Sequence, residues 1–104
     1  MNRGDIYRVR QSGKTGHEQQ GVRYAVILQA DVLLRLSTVI VAPTSRSAQP
    51  ATFRPVIEIE GNSTRVLLDQ LTTVDVGRLV KHVGRIDVED SWVIDDAARL
   101  VLSL

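Results

Sequence analysis

The stretch GHEQQGVRYAVIL, residues 16–28, passes directly from polar residues into a continuous apolar run. The run at 24–28 is short, apolar and bounded by polar residues, so it predicts a buried β-strand rather than a helix. Ahead of it stand a histidine, a glutamate, two glutamines and an arginine. These polar side chains either solvate a loop or form part of a site at the start of the strand.

Further strand patterns lie on both sides of this stretch. They cover residues 5–9, 38–42, 53–59, 64–68 and 81–86, and residues 75–79 predict a single helical turn. The run 38–42 (TVIVA) is as apolar as 24–28 and ends before Pro43, while 53–59 alternates between apolar and polar residues. This punctuation predicts five or six short strands.

The C-terminus changes to a helical period. Asp87 is expected to cap the helix, and Val88 and Trp92 extend its apolar face. The predicted core-facing stripe is Val93, Ala97, Leu100, Val101 and Leu104. We therefore predict one domain over residues 1–104, mainly β, built as a small barrel or strongly curled antiparallel sheet with a C-terminal α-helix.

The charge is divided along the chain. Eleven of the thirteen basic residues are arginine, and residues 1–86 carry twelve basic and seven acidic groups, whereas residues 87–104 carry one basic and five acidic groups. A basic body suits a phosphate-bearing partner, because guanidinium groups match phosphate oxygens in geometry. An ordinary arginine-rich surface next to an acidic helix explains the same numbers.

Several classes of protein are disfavoured. The chain has no cysteine, which excludes disulfides and thiolate metal sites, and His17 and His82 alone form no metal-ligand pattern. The first residues, MNRGDIYRVR, contain no apolar core of a signal peptide, and no apolar run has membrane-spanning length, so we expect no export by a signal peptide. We expect a cytoplasmic protein that needs neither a membrane, a metal nor another cofactor.

Four blocks of the chain, in order, are similar to the sequence pattern of one family. RGDIYRV resembles its opening strand, GHEQQGVRYAVIL its G-S-E-Q-x-G-x-R-P segment, and TVIVAPTS the end of its third strand. VLLDQLTTVDVGRLVKHVGRI is similar to the later pattern V-x-x-D-Q-[IV]-x-[TS]-[IV]-D-x-x-R-L-x-x-x-I-G-x-[LI]. On these blocks, which span nearly the whole chain, the sequence resembles the MazF/PemK toxin endoribonucleases of type II toxin–antitoxin systems.

This resemblance implies an SH3-like barrel that forms a homodimer and is neutralised by a cognate antitoxin. It also implies sequence-selective cleavage of single-stranded RNA without metal, in which the 2′-hydroxyl attacks the adjacent phosphate and leaves a 2′,3′-cyclic phosphate and a 5′-hydroxyl. By position, the family's catalytic arginine and threonine correspond to Arg23 and Thr44, and a glutamate used by some members corresponds to Glu18.

The residues themselves suit these roles. Arg23 stands where the polar segment meets the strand, so its backbone is held while its guanidinium reaches outward to stabilise developing charge. Thr44 follows Pro43 at the predicted end of a strand and offers a hydroxyl and a backbone N–H to a phosphate oxygen. Glu18 becomes a plausible base if burial or a neighbour raises its pKa.

The chain departs from the family pattern at two positions. His17 replaces a serine and Tyr24 replaces a proline. Because histidine titrates near neutral pH, we hypothesise that His17 assists or replaces Glu18 in proton transfer; the alternative is an exposed loop residue without a role. Tyr24 either stacks on an unpaired base or is a buried strand residue.

Further side chains are candidates for RNA contact. Glutamine amides read base edges, and arginines bind phosphates. The candidates are Gln19, Gln20, Gln29, Ser45, Arg46, Gln70, Arg78 and Arg85, with Arg54 and Arg65 as further phosphate ligands. For Asp69 we expect a structural carboxylate that accepts hydrogen bonds from backbone or arginine donors.

Two other functions are compatible with the sequence. A CcdB-like toxin that poisons DNA gyrase has the same fold and does not need Arg23 or Thr44. A non-catalytic RNA-binding or regulatory barrel is the third class.

Overall fold

The computed structural model describes residues 1–10 and 23–104. Within them, seven strands, three short 3-10 turns and one helix follow the chain. The strands are β1 (Asp5–Val9), β2 (Arg23–Ile27), β3 (Thr38–Ser45), β4 (Val56–Ile59), β5 (Asn62–Val66), β6 (Thr72–Asp75) and β7 (Leu79–Arg85). The 3-10 turns are Asp31–Leu33, Leu68–Gln70 and Val76–Arg78, and the helix α1 is Val88–Leu102.

The sheet is antiparallel and bends around β3. Its order is β4-β5-β3-β2-β1-β7. The first half of β3 also pairs with β6, whereas its last residues, Thr44 and Ser45, pair with β5. Strand β3 therefore pairs with two strands, β6 and β5, along the same edge. The sheet curls into an open barrel, as predicted from the strand pattern.

Pro43 does not end its strand, in contrast to our prediction of a strand over 38–42. It lies opposite Ala25 of β2, between the segments of β3 that pair with β6 and β5. Its carbonyl oxygen accepts a 2.9 Å hydrogen bond from the Leu67 amide. Proline is accommodated here because the strand changes neighbours at this point.

Other predicted boundaries also move. The 53–59 strand begins only at Val56, because the Arg54 amide turns back to the Ala51 carbonyl. The predicted strand at 64–68 ends at Val66 and is followed by a 3-10 turn. Strand β6 was missed, since its sequence TTVD is mostly polar and only Val74 is buried. The helical turn expected within 75–79 is confirmed as Val76–Arg78.

Two hydrophobic clusters lie on opposite faces of the curled sheet. The cluster beneath α1, called here the helix-side cluster, contains Ile6, Val26, Ala42, Ile57, Ile59, Val66, Leu68, Ile94 and Ala97. The second, called the open-side cluster, contains Ala25, Ile27, Val39, Val41 and Val74. Successive residues of β2 alternate between the clusters, as strand geometry requires.

Helix α1 begins as predicted, but its buried face matches the predicted stripe only in part. The Asp87 carboxylate caps it by accepting a 2.8 Å hydrogen bond from the Asp90 amide. Ala97 of the predicted stripe is buried, as is Ile94, which was not in the stripe, whereas the predicted Val93, Leu100 and Leu104 are exposed. The buried face is rotated because Ile94 packs in the helix-side cluster.

Among the described residues, no helix has the length and apolar character needed to cross a membrane; α1 has 15 residues.

Candidate functional site

Two open grooves meet at the beginning of β2 and the end of β3. Their volumes are about 480 Å³ and 450 Å³. Both are lined by Arg23, Tyr24, Thr44, Ser45 and Ser47. The structure therefore places the two strongest candidates from the sequence, Arg23 and Thr44, on neighbouring strands at the junction between the grooves.

The grooves differ in their other walls. The first continues over the open-side cluster, past Val9, Val41, Leu67, Gln70, Thr72, Val74 and Arg78. The second continues toward the β4–β5 hairpin, past Arg46, Ile59, Asn62 and Thr64. A chain molecule that crosses the junction can thus contact a different set of side chains on each side of it.

Arg23 is the first residue of β2 and is exposed. It pairs in register with Val9 of β1, so its backbone belongs to the sheet while its side chain lies at the rim of both grooves. An arginine held in this way presents several donors to an anion without a large loss of backbone freedom.

Thr44 lies within β3 rather than beyond its end, and it is 9% exposed. Its hydroxyl donates a 2.9 Å hydrogen bond to the carbonyl oxygen of Tyr24. The expectation that this hydroxyl donates to a phosphate is therefore corrected: its proton is engaged, and its oxygen remains available as an acceptor.

Tyr24 combines the two environments considered for it. Its ring is half-buried against the helix-side cluster, and the residue lines both grooves. Its hydroxyl donates a 2.5 Å hydrogen bond to Glu60 Oε1. This bond, together with partial burial, raises the pKa of Tyr24, so the phenol remains a donor at neutral pH.

The polar candidates divide between the two grooves. Gln70 and Arg78 line the first groove, Arg46 lines the second, and Ser45 lines both. The Arg78 guanidinium donates a 2.9 Å hydrogen bond to the Arg10 carbonyl, which braces it along the end of β1. Each groove is therefore lined by an arginine besides Arg23, Arg78 in the first and Arg46 in the second.

Two candidates belong elsewhere. Gln29 is 8% exposed; its amide nitrogen donates to the Leu33 carbonyl at 2.7 Å, and its amide oxygen accepts from the Ile40 amide at 3.0 Å. Both ends of this side chain are committed to backbone, so the base-reading role is corrected to a structural one. Arg85 lines neither groove and pairs with the buried Asp5 at 3.0 Å, so it is not part of this site.

Comparison with known proteins places the chain in a family. The family model of PemK-like, MazF-like toxins of type II toxin–antitoxin systems matches residues 2–102. The chain belongs to this toxin family. The resemblance stated from the sequence blocks is thereby confirmed.

Two relatives illustrate its place in the PemK-like, MazF-like family. Endoribonuclease EndoA of Bacillus subtilis (strain 168) is 32% identical over 111 residues, covering 100% of this chain and 96% of the relative. A protein of Mycobacterium tuberculosis (strain ATCC 25618 / H37Rv) with a provisional toxin name is 49% identical over 75 residues, covering 71% of this chain and 70% of its own length.

Solved structures of this family share the fold. The MazE-MazF crystal structure (Form-II) from Deinococcus radiodurans has a TM-score of 0.83 at 19% identity, covering 100% of this chain and 96% of that one. Mycobacterium tuberculosis toxin MazF-mt6 has a TM-score of 0.80 at 17% identity, covering 96% and 97%. At these identities the likeness establishes architecture alone.

Four of the residues singled out by the family pattern, His17, Glu18, Gln19 and Gln20, lie outside the described residues. Among residues 1–10 and 23–104, no group of three or more histidine, cysteine or acidic side chains comes together in a way that could hold a metal ion.

Asp69, in the D-Q pair of the toxin pattern, has the structural role predicted for it. Its two carboxylate oxygens accept hydrogen bonds from Arg54 Nε and Nη2, at 3.1 and 2.8 Å. The bond from Arg54 lowers the pKa of Asp69. Arg54 is therefore engaged within the protein, and Arg65, which donates to the Arg54 carbonyl at 2.8 Å, braces the same corner.

Several groove residues were not singled out from the sequence. Asn62 and Thr64 reach the second groove, and Ser47 and Thr72 line the first. Small polar residues in hairpins and loops carry no pattern of their own. Only the pairing of β5 with the end of β3 brings Asn62 and Thr64 near Thr44.

Proposed function

We propose that this toxin-family protein is a sequence-selective endoribonuclease that cleaves single-stranded RNA by attack of a 2′-hydroxyl, without a metal ion. The observation that carries the proposal is the position of Arg23 and Thr44 at the junction of two grooves. A single strand lying across the junction has nucleotides on both sides of the scissile phosphate, which such a cleavage requires.

Each step of the reaction needs a defined group. The 2′-oxygen attacks the adjacent phosphorus and loses its proton to a base, and the bond from phosphorus to the 5′-oxygen breaks as that oxygen gains a proton. The products are a 2′,3′-cyclic phosphate and a 5′-hydroxyl. Arg23 is suited to stabilise the extra negative charge on the phosphorane oxygens.

Thr44 is suited to orient the nucleophile. Because its own proton is donated to the Tyr24 carbonyl, its oxygen can accept a hydrogen bond from the 2′-hydroxyl. That contact aligns the attacking oxygen without requiring Thr44 to change charge, and it leaves proton removal to another group.

Glu18 and His17 are the proposed proton-transfer groups. They precede Arg23 by five and six positions in the family segment. A pH–rate profile of wild type and His17→Ser distinguishes them, since a histidine contributes a transition near neutral pH. Superimposable profiles would remove His17 from the mechanism and leave Glu18 as the base.

Base selectivity is proposed for side chains that line the grooves or precede Arg23. Gln70 reaches the first groove and Ser45 both, and Gln19 and Gln20 belong to the segment before β2. Amide groups both donate and accept, so they discriminate among the edges of unpaired bases. Arg46 and Arg78 are proposed to contact phosphates in the second and first grooves.

A cognate antitoxin and a second copy of the chain are the proposed protein partners. An acidic, initially disordered antitoxin segment would complement the arginines along the grooves and exclude RNA. For the homodimer, exposed apolar side chains on α1, including Trp92 and Leu100, are available for contact. Light scattering coupled to gel filtration tests the dimer through its mass.

The activity is tested with a long single-stranded RNA in the presence of EDTA, followed by mapping of the ends. We expect cuts at specific sites that leave 5′-hydroxyl termini. Arg23→Ala should abolish them, whereas Arg35→Ala, an exposed arginine that lines neither groove, should not.

Intact RNA with folded wild-type protein would instead favour the alternatives. The family match and the relatives above give no support to the gyrase-poisoning alternative. A non-catalytic barrel would bind the same RNA in a mobility-shift assay and leave its length unchanged.

A further inference from the structure

Tyr24 is connected to both proposed catalytic residues and to a separate part of the fold. It follows Arg23 in β2, and its carbonyl oxygen accepts the Thr44 hydroxyl at 2.9 Å. Its own hydroxyl donates to Glu60 Oε1 at 2.5 Å. One residue thus links the backbone that carries Arg23, the hydroxyl of Thr44 and the β4–β5 hairpin.

The bond to Glu60 reaches across a strand. Glu60 lies in the two-residue turn between β4 and β5, and β3 separates these strands from β2. Ile59 and Asn62, on either side of the turn, line the second groove together with Tyr24. The hydrogen bond therefore ties two walls of that groove to each other.

Glu60, which accepts this hydrogen bond, has a fixed backbone conformation. Glu60 and Gly61 have φ values of +52° and +82°, as a type I′ turn requires. The register Ile59 opposite Asn62 closes the hairpin directly around them. Because this turn has two residues and one geometry, the Glu60 carboxylate starts from a defined position.

Charges around the phenol are mixed. Arg8, opposite Tyr24 in register on β1, and Arg46 lie close enough to act on the hydroxyl electrostatically. A hydrogen bond from a neutral phenol to a carboxylate is stronger than one between neutral groups. The bond from Tyr24 to Glu60 is of this stronger kind.

We propose that Tyr24 is a positioning residue: its hydrogen bond to Glu60 holds the start of β2 against the β4–β5 hairpin and so sets the geometry of Arg23 and Thr44. The inference rests on the proposed function. The family pattern has proline at this position, and proline has no side-chain donor, so the device belongs to this chain rather than to the pattern. Small displacements of reacting groups cause large losses of rate.

The test compares kcat and KM between wild type and variants on an RNA oligonucleotide with a mapped cleavage site. The assay temperature is well below the unfolding midpoint of every variant. Tyr24→Phe keeps the ring and removes only the donor. We expect kcat to fall about ten-fold, while KM stays within about two-fold. Glu60→Ala should give the same loss, and Glu60→Gln, which retains an acceptor oxygen, should recover most of it.

A double variant shows whether Tyr24 and Glu60 act through one shared hydrogen bond or through two independent effects. Tyr24→Phe with Glu60→Ala should be no slower than either single variant if both changes break one interaction. Matched controls are Tyr7→Phe, which alters the chain's other tyrosine, and Glu58→Ala in the same hairpin. Neither residue lines a groove, and both variants should retain wild-type kcat.

The outcomes test the positioning role of Tyr24 separately from the proposed endoribonuclease function. Wild-type protein that leaves RNA intact overturns the proposed function and the positioning role together. Wild-type protein that cleaves, with full kcat in Tyr24→Phe and Glu60→Ala, overturns the positioning role alone. A lowered unfolding midpoint with unchanged kcat also overturns the positioning role, because the bond would then serve stability only.

Discussion

The Thr44 hydroxyl donates a hydrogen bond to the carbonyl oxygen of Tyr24, across the junction where two grooves meet. The bond fixes the direction of the hydroxyl proton into the protein. The remaining lone pairs of the oxygen are thus available to a ligand. In the proposed reaction, such an oxygen is suited to orient the nucleophile and does not need to titrate.

Thr44→Val tests this role, because it replaces the hydroxyl with a methyl group of similar size. We expect RNA cleavage to fall about a hundred-fold, as for the loss of one catalytic hydrogen-bonding group. The free energy of unfolding should fall by about 1–2 kcal/mol, since the Tyr24 carbonyl loses a donor. Denaturant titration and single-turnover cleavage measure the two effects.

Thr44→Ser keeps the hydroxyl and should retain cleavage within about five-fold of wild type. Thr73→Val makes the same chemical change at an exposed position of β6 that lines neither groove, and its cleavage rate should not change. Equal activity of Thr44→Val and wild type would show that the oxygen has no part in the reaction.

The two glutamines Gln29 and Gln70 should behave in opposite ways. Gln29→Ala removes two hydrogen bonds to backbone in a buried position, so the free energy of unfolding should fall by about 2–3 kcal/mol. Its RNA cleavage should be unchanged at temperatures where the variant is folded. Gln70→Ala, in the first groove, should leave stability within about 0.5 kcal/mol and alter the cleavage pattern.

Urea titration and mapping of cleavage sites on one mixed-sequence RNA measure both variants. A changed cleavage pattern in Gln29→Ala with normal stability would restore the base-reading role that the sequence predicted for Gln29.

Asp69 should stabilise the fold in a pH-dependent manner. Its hydrogen bond from Arg54 lowers its pKa below the ordinary value of 3.8. A carboxylate with a lowered folded pKa contributes stability above its unfolded pKa, and that contribution disappears as the pH falls through the folded value. Asp69→Asn should therefore lower the Tm at pH 7, and the difference from wild type should shrink below about pH 4.

Thermal unfolding at several pH values checks this dependence. Asp96→Asn is the matched control: Asp96 pairs with Arg99 at 3.0 Å, but the two side chains are 80% and 60% exposed. Such exposed pairs contribute little, so its Tm should stay near the wild-type value at every pH. A constant Tm difference for Asp69→Asn across the range would contradict the ionic origin of its contribution.

Removal of the Asp5 carboxylate should reduce the free energy of unfolding more than removal of the Asp69 carboxylate. Burial alone would raise its pKa, but hydrogen bonds from the Asn2 amide, Arg85 and His82 outweigh burial and lower it. Asp5→Ala leaves these donors without their acceptor and should reduce the free energy of unfolding by about 3 kcal/mol at neutral pH.

Chemical denaturation measures this loss, with the exposed Asp75→Ala on β6 as the control. His82→Ala should have a smaller effect than Asp5→Ala, because its ring lies 3.5 Å from Asp5 and is half exposed. An Asp5→Ala variant with nearly wild-type stability would mean that solvent satisfies these donors in place of the carboxylate.

The choice of helix face marks one limit of the sequence. The predicted stripe combines Val93, Ala97, Leu100, Val101 and Leu104. The face that is buried keeps Ala97 and Val101 but adds Ile94. Both patterns satisfy the helical period. The second is buried because Ile94 joins one hydrophobic cluster with Val26, Ile57 and Leu68, which come from distant parts of the chain.

Local chemistry, in contrast, was sufficient for several features. The apolar runs identified β2 and β3, and Asp87 was recognised as a cap because its carboxylate needs only the amide three residues later. The order of the sequence blocks was enough for the family, and through it for Arg23 and Thr44 as candidates.

The site itself depends on tertiary structure. Gln29 and Gln70 are chemically identical, yet one is fastened to backbone and the other faces a groove. The Tyr24–Glu60 bond joins residues 36 positions apart across an intervening strand. The sequence by itself indicated the helix and every strand except the mostly polar β6, because backbone propensity, capping and apolar period act over a few residues. Only the curled sheet decided which polar side chains share a groove, because that depends on strand pairing between distant segments.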